Sequence, residues 1–377
     1  MRIWWALVKN ELMLYRAQRG LQLAFVLTLA LLVGFGATVL YSAAGGSFEP
    51  WAGNHIIRFI VCLGIATTLS FIPEGWWRQG AIPGYGAILL ALLGVELIGA
   101  VAGGGQRWLN LGFMRLQPSE FMKPAVVILL AHFYALLPPT HTKIWAGLWP
   151  ALTVIGVPMA LVMLQPDLGT AIAIGVGGVT VAFLAGLPMR WFLGAAGAGL
   201  AALPILFMML HDYQQRRVLI FLDPESDPLG SGYHITQSKI AIGSGGIFGK
   251  GFLNGTQSHL EYLPEGHTDF VFATMAEEWG LLGGLCLLLG FGLLLRWGWR
   301  VAERAPTRFG RLVAGGLTMT IFFYMAINML MVMGLAPVVG IPLPFMSHGG
   351  SSMLTVMICI GITMGVDRET RRDRWSL

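Results

Sequence analysis

The sequence has little charge and little cysteine. Only 11% of its 377 residues are Asp, Glu, Lys or Arg, and 55% are hydrophobic, whereas a soluble domain carries about 25% charged residues. This deficit excludes an ordinary soluble protein and indicates that lipid is the main solvent. Cys62, Cys286 and Cys359 all lie in apolar runs, which favours small core residues over a disulfide framework or a metal site. The eight histidines form no short-spaced ligand pair, so no metal-binding signature is predicted.

Long apolar runs are what the sequence has instead. A helix needs roughly 20 apolar residues to cross the hydrocarbon core, and the runs predict about ten such spans. Because the residues before the first span are polar and basic, we expect no cleavable signal peptide. The chain is predicted to be one all-α polytopic membrane domain, residues 1–377. The spans are predicted near 21–43, 55–73, 81–102, 118–137, 146–164, 169–188, 191–210, 271–295, 311–333 and 351–366.

The distribution of Lys and Arg predicts the orientation, because basic residues concentrate in cytoplasmic segments. If both termini are cytoplasmic, sixteen of the 24 basic residues fall in inner segments, including a cluster at 296–311. We therefore predict a cytoplasmic N-terminal segment at 1–20, a cytoplasmic tail at 367–377, and a large periplasmic loop at 211–270 between helices 7 and 8. The net charge of +5 then reflects topology and does not indicate nucleic-acid binding.

The segment Leu263–Phe270 ends the large loop and places two ionisable residues, His267 and Asp269, beside the next span. Ionisable groups at a membrane boundary are costly and tend to be functional. Asp269 is either a first-turn carboxylate that complements the helix dipole, with Thr268 as the cap, or a general base. His267 is either a loop hydrogen-bonding residue or a group that orients the acid or a substrate hydroxyl.

A second cluster of polar residues lies just before the fourth span and in its first turn. Glu120 and Lys123 are three residues apart and share one helical face, so they form either a buried structural ion pair or a cavity wall in which Lys123 meets an anionic ligand. Trp108 is either an interface anchor or part of the site, and Arg107 beside it could grip phosphate bidentately. Asp167 is either the cap of the sixth span or a partner for Lys123, and the position favours the cap.

Two glycine-rich segments, 243–251 and 342–352, contain residue types that can bind anions. The segment 342–352 is an irregular outer loop in which Ser347, His348 and backbone amides could meet an anion, although a plain turn is the simpler interpretation. The segment 243–251 is similar to a phosphate loop, but serine stands where the first Walker glycine belongs and glycine follows the lysine. A nucleotide site is therefore not predicted.

Taken in order, these pieces resemble the SEDS family (shape, elongation, division and sporulation), the bacterial peptidoglycan polymerases, and are more similar to its RodA branch than to its FtsW branch. The resemblance covers nearly the whole chain. Each piece alone is weak, and the ordered set is specific. The pieces are Tyr41–Ala43, Arg107–Trp108, Gln117–Glu120 with Lys123, Gln165–Thr170, His267–Phe270 with Glu277–Glu278, and Pro342–Phe345 with Ser347–Ser351.

This resemblance implies a glycosyltransferase that polymerises lipid II, a lipid-linked disaccharide-peptide, at the outer face of the bacterial inner membrane. It implies that Asp269 is the catalytic base and that a class B penicillin-binding protein is the partner. A divalent cation, Mg²⁺ or Mn²⁺, could assist the pyrophosphate, although no dedicated ligand set is visible. Arg107, Lys123, Arg216 and Arg217 are the expected cations on the outer side. The expected substrate-binding residues are Arg107, Trp108, Glu120, Lys123, Asp167, Arg216, Arg217, His267, Ser347 and His348.

Two other functions fit parts of the same pattern. A flippase for lipid-linked precursors would also place charges such as Glu120, Lys123 and Asp167 along a path through the membrane. A non-catalytic scaffold for the penicillin-binding protein would tolerate charge-neutral changes in the cavity. Asp269 distinguishes these hypotheses, because only a transferase needs a base at the outer boundary.

Overall fold

The computed structural model describes residues 25–102, 105–110, 115–138, 140–209, 212–223, 227, 230–260, 262–263 and 265–375. The whole of the predicted N-terminal segment, 1–20, and the last two residues of the predicted tail lie outside these ranges. The helices are α1 Phe25–Ala43, α2 Ala52–Leu69, α3 Glu74–Ile98, α4 Pro118–Leu136, α5 Trp145–Leu164, α6 Leu168–Leu184, α7 Met189–Met209, α8 Asp212–Leu222, α9 Ser231–Gly245, α10 Thr256–His259, α11 Val271–Arg304, α12 Arg308–Val332 and α13 Gly350–Trp375.

The apolar helices agree with the spans predicted from the sequence. Among the described residues, eight helices are long and apolar enough to cross a membrane. Two shorter apolar helices, Leu168–Leu184 and Met189–Ile205, coincide with the predicted sixth and seventh spans. The all-α polytopic class is therefore confirmed, while the count of ten and the orientation stay predictions.

A small antiparallel sheet, which the sequence analysis did not predict, lies between α3 and α4. Its strands are β1 Ala100–Ala102, β2 Gly105–Asn110 and β3 Arg115–Leu116, in the order β1-β2-β3. Trp108 pairs with Ala100 and Leu109 with Leu116. The sheet occupies the predicted outer segment 103–118 and holds Arg107 and Trp108 on a strand rather than on a loose connection.

Helix α12 packs against α4, α6, α11 and α13. Glycine permits the closest approach: a Cβ added to Gly316 would lie 2.6 Å from a methyl of Val181 on α6 and 2.7 Å from one of Val127 on α4. Small residues at such crossings are typical of membrane helices, whose association depends on close packing. The C-terminal end of α12 therefore meets the N-terminal ends of α4 and α6, and a polar cavity lies at this meeting point.

Helix α11 is broken at Gly280, whose φ of 61° is left-handed. The segment 246–251 fills the break: Lys250 N donates to Glu277 O at 3.0 Å, and Leu281 N donates to Gly246 O at 2.9 Å. A Cβ on Gly280 would lie only 2.4 Å from the backbone nitrogen of Gly249. Most of the segment that is similar to a phosphate loop is thus a structural plug that holds the first part of α11, residues 271–279.

Two adjacent acids on this first part, Glu277 and Glu278, are buried. Glu277 accepts from Lys250 Nζ at 2.6 Å and from the backbone nitrogen of Thr256 at 2.9 Å. Glu278 accepts from the Ser42 hydroxyl at the end of α1. The charge of Lys250 and the hydrogen bonds to Glu277 offset the cost of burying that carboxylate. Glu278 has the Ser42 hydroxyl on one oxygen and no hydrogen-bond partner among the described residues on the other. The two acids connect the large loop and α1 to α11.

Candidate active site

A polar cavity of about 650 Å³ lies where α4, α6 and α12 meet the loops before α11 and α13. Six residues predicted for the site line it together, although they come from five separate parts of the chain. Tyr324, Gln117 and Glu265, which the sequence analysis did not assign to a site, line it as well. The six predicted residues are Arg107, Trp108, Glu120, Asp167, Asp269 and His348.

Asp269 stands at the end of a tight turn that leads into α11. The carbonyl of Glu265 accepts from the backbone nitrogens of Thr268, at 3.0 Å, and Phe270, at 3.2 Å. Phe270 is the N-cap of α11 and makes no side-chain cap bond, while the Thr268 hydroxyl donates to the Glu265 carboxylate. The structure therefore gives no support to Thr268 as a helix cap, and the carboxylate of Asp269 lines the cavity.

Asn328 near the end of α12 fixes the backbone of Asp269. Its amide nitrogen donates to the carbonyl of Asp269 at 2.9 Å and to that of Ile341 at 2.7 Å. On the opposite side, Oδ2 of Asp269 lies 3.6 Å from the position of a Cβ on Gly340, which has a φ of 69°. A Cβ at Gly340 would meet the carboxylate at an ordinary van der Waals distance, so it is the left-handed φ that favours glycine at this position.

Glu120, Lys123 and Tyr324 form a closed triangle under the cavity. Lys123 Nζ lies 2.5 Å from Glu120 Oε1 and donates to the Tyr324 hydroxyl, which donates to the other oxygen of Glu120. All three are buried, with Lys123 only 1% exposed. The predicted ion pair is confirmed, and Tyr324 is its missed third member. Glu120 and Tyr324 face the cavity, whereas Lys123 is not among its lining residues.

Arg107 and Asp167 form the opposite rim. The guanidinium donates to the carbonyl of Gln165 at 3.0 Å and to that of Pro166, and it lies 3.9 Å from Asp167 Oδ2. Asp167 Oδ1 accepts from the backbone nitrogen of Thr170 at 3.1 Å, so the predicted cap of α6 is confirmed. The cation beside Asp167 is Arg107, because Lys123 pairs with Glu120 instead.

His348 connects the cavity rim to α2. Its backbone nitrogen donates to the carbonyl of His267 at 2.9 Å, and Arg58, which the sequence analysis did not assign to the site, lies 3.0 Å from His348 Nε2. A guanidinium can only donate, so Nε2 accepts and the imidazole is neutral. Burial, and then the charge of Arg58, hold the pKa of His348 below its usual range.

His267 faces away from this cavity. Its ring stacks on Trp51, with centroids 4.1 Å apart and planes 8° apart, and both rings line a second cavity of about 610 Å³. Burial lowers the pKa of His267, while the nearby Glu265 carboxylate opposes that shift. His267 is thus a neutral aromatic group beside Asp269 in sequence but on the other side of the turn.

Two further predicted site residues, Ser347 and Arg216, do not line the first cavity. The Ser347 hydroxyl accepts from Leu343 N at 2.8 Å, so it shapes its own loop and is not among the lining residues of the first cavity. Arg216 is exposed on α8 and is also not among them. The side chain of Arg217 lies outside the described part of the structure. These assignments stay predictions.

The described residues contain no group of three or more His, Cys, Asp or Glu that could hold a metal ion. One or two carboxylates of the cavity could bind a cation that a phosphate also binds, which is the usual protein share of a Mg²⁺ site. A divalent cation stays a prediction.

A bundle of apolar helices with a carboxylate-lined cavity at one end defines a multi-pass membrane protein with a candidate active site at the membrane boundary. The family model FtsW/RodA/SpoVE, described as "Cell cycle protein", matches residues 21–372. The chain belongs to this family, which confirms the resemblance predicted from its motifs.

Relatives agree over most of the chain. "Peptidoglycan glycosyltransferase MrdB" of Escherichia coli K12 is 47% identical over 348 residues, covering 90% of this chain and 91% of that protein. A chain from the structure "Structural coordination of polymerization and crosslinking by a peptidoglycan synthase complex" has a TM-score of 0.80 at 32% identity and covers 93% and 98%. The Thermus thermophilus rod shape determining protein RodA has a TM-score of 0.69 at 29% identity and covers 92% and 96%.

Proposed function

We propose that this protein is a peptidoglycan glycosyltransferase that polymerises lipid II into glycan strands for cell elongation and rod shape. The 4-hydroxyl of the acceptor sugar attacks C1 of the donor sugar and loses its proton to Asp269. The bond from C1 to the pyrophosphate oxygen breaks as the β-1,4 bond forms with inversion. Undecaprenyl pyrophosphate leaves with the electron pair of the broken bond.

The position of Asp269 carries this proposal. The reaction needs a base within hydrogen-bond reach of a sugar hydroxyl, and the Asp269 carboxylate lines a cavity large enough for sugar rings. The turn from Glu265 and the amide of Asn328 fix its backbone before any substrate binds. Such preorganisation lowers the cost of reaching the reactive geometry.

The negative charge of the first cavity is unfavourable for a pyrophosphate leaving group. Four carboxylates line it, those of Glu120, Asp167, Glu265 and Asp269, against the guanidinium of Arg107. Lys123 already pairs with Glu120, and Arg107 lies near Asp167. A pyrophosphate entering this acidic cavity needs added positive charge, which supports the proposal that a divalent cation enters with it.

Location and partner follow from the same function. The predicted orientation puts the cavity on the outer face of the bacterial inner membrane, where the undecaprenyl chain can stay in lipid while the head group reacts. The similarity to a chain of a peptidoglycan synthase complex supports a class B penicillin-binding protein as the partner that crosslinks the strands.

Polymerisation of purified lipid II in detergent or liposomes tests the proposal, with and without the partner. Asp269→Asn keeps the size of the side chain and removes the base, so glycan output should fall by about 100-fold or more. Glu49→Gln is the matched control, because Glu49 is an exposed acid on the loop after α1 and should leave output unchanged.

Near-normal glycan output from Asp269→Asn, with unchanged folding, would refute the base assignment. A flippase is the alternative function. The flippase hypothesis requires that the purified protein move lipid II across the membrane of a vesicle. It also requires that Asp269→Asn leave this movement intact. The closed triangle of Glu120, Lys123 and Tyr324 argues against an open path through the bundle, because all three side chains are buried and satisfy one another.

A further inference from the structure

The second cavity, of about 610 Å³, has no part in the reaction described above. It lies between the end of α1, the loop that leads into α2, α10 and the turn before α11. Its polar lining includes Ser258, His259, Glu265 and Thr274, and its aromatic lining is the stacked pair Trp51 and His267.

This mixture of groups suits a carbohydrate. A pyranose has an apolar C–H face, which packs on an aromatic ring, and a rim of hydroxyls, which hydrogen-bond to polar side chains. Trp51 and His267 stack face to face, so each ring holds the other in place and the outer faces of the stack are left for a sugar. Ligand sites commonly combine such apolar surface with a few placed polar groups.

The two cavities share one wall. Glu265 lines both of them, while Asp269 lines the first and His267 the second. The turn 265–269 therefore separates them, and the bond from His348 N to His267 O, at 2.9 Å, joins the rim of the first cavity to the wall of the second. A chain of sugars leaving the reaction centre has only this turn to cross.

We propose that the second cavity binds the growing glycan strand, with Trp51 and His267 as its stacking surface. This inference rests on the proposed function. Each coupling joins units of two sugars, and only the strand extends beyond the units that react. Its sugars need a polar, water-accessible surface beside the base, and the second cavity offers one next to Asp269.

Binding to an inactive protein tests the strand site apart from catalysis. A lipid-free peptidoglycan fragment of at least four sugars is titrated against Asp269→Asn protein. Adding Trp51→Ala should weaken its binding by about tenfold, while Trp51→Phe should restore most of it. Trp145→Ala removes an exposed tryptophan at the start of α5 that is not part of the cavity lining, and it should change nothing.

Product length gives the second readout. In otherwise wild-type protein, Trp51→Ala should shorten the mean strand length severalfold. The rate of the first coupling between two lipid II molecules should fall by a smaller factor. Equal fragment binding with and without Trp51, or unchanged strand length in a folded Trp51→Ala protein, would overturn the strand site. Neither result would touch the assignment of Asp269, which fails only if Asp269→Asn still polymerises lipid II.

Discussion

Removing Lys123 should destabilise the protein strongly, because it leaves a carboxylate buried without its cation. Glu120 is only 6% exposed and its charge is balanced by a lysine 2.5 Å away. Breaking a buried pair from one side costs about 3–5 kcal/mol. Lys123→Met keeps the apolar stem and removes the charge, so we expect a loss of that size in the free energy of unfolding.

The double-mutant cycle separates the pair from its surroundings. Glu120→Gln alone leaves the ammonium without its counter-charge, and the variant with both changes removes both buried charges. The double variant should therefore be more stable than the sum of the single losses predicts, by about 1–3 kcal/mol. The assay is reversible unfolding in mixed micelles. A titration with denaturant gives the free energy of unfolding of each variant.

A matched control uses Glu74 and Arg78 at the start of α3, where the arginine side chain is 37% exposed and the charges are 3.8 Å apart. Arg78→Gln should cost less than about 1 kcal/mol, since solvent screens such pairs. If the losses for Glu120 and Lys123 add to within about 0.5 kcal/mol, the coupled pair is refuted.

Three further predictions concern the break, a histidine and the orientation. Gly280→Ala should lower stability by at least about 1–3 kcal/mol, as measured by thermal unfolding, whereas Gly284→Ala, whose added Cβ meets nothing within 4 Å, should not. Burial and a neighbouring guanidinium keep the pKa of His348 below its usual 6.5, so the unfolded state binds more protons in acid and stability falls as the pH drops below about 6.5. His348→Phe should flatten that slope between pH 7.5 and 5, and an unchanged slope would contradict the shift. In a cysteine-free background of intact cells, an impermeant reagent should label Ser47→Cys but not Pro306→Cys, both at exposed positions, and the reverse result would overturn the orientation.

Sequence patterns predicted the helices well because a bilayer imposes a simple rule on length and polarity. The same rule gives no indication of the break in α11. The run after Phe270 is apolar enough to form one span, and Gly280 within it differs little from glycines that only pack. The break depends on segment 246–251, whose backbone supplies the missing hydrogen bonds, and that partner cannot be identified from the pattern of α11 alone.

The candidate site was predictable where a short motif brings its residues together, as for Glu120 with Lys123 and for Asp269. It was not predictable where separate helices supply single residues. Tyr324 and Asn328 are polar positions within a predicted span, which was an available signal. Arg58 gave the same signal, since it is a charged residue within the predicted span 55–73, but only the fold shows that it lies beside His348.

The acidic lining of the first cavity also has a pharmacological consequence. Its volume of about 650 Å³ falls in the range that accommodates drug-sized molecules. Under the predicted orientation, an inhibitor reaches it without crossing the cytoplasmic membrane, so efflux and permeation through that membrane do not limit access. Carboxylates around the cavity favour a compound with a cationic centre, the opposite charge from a substrate mimic built on pyrophosphate.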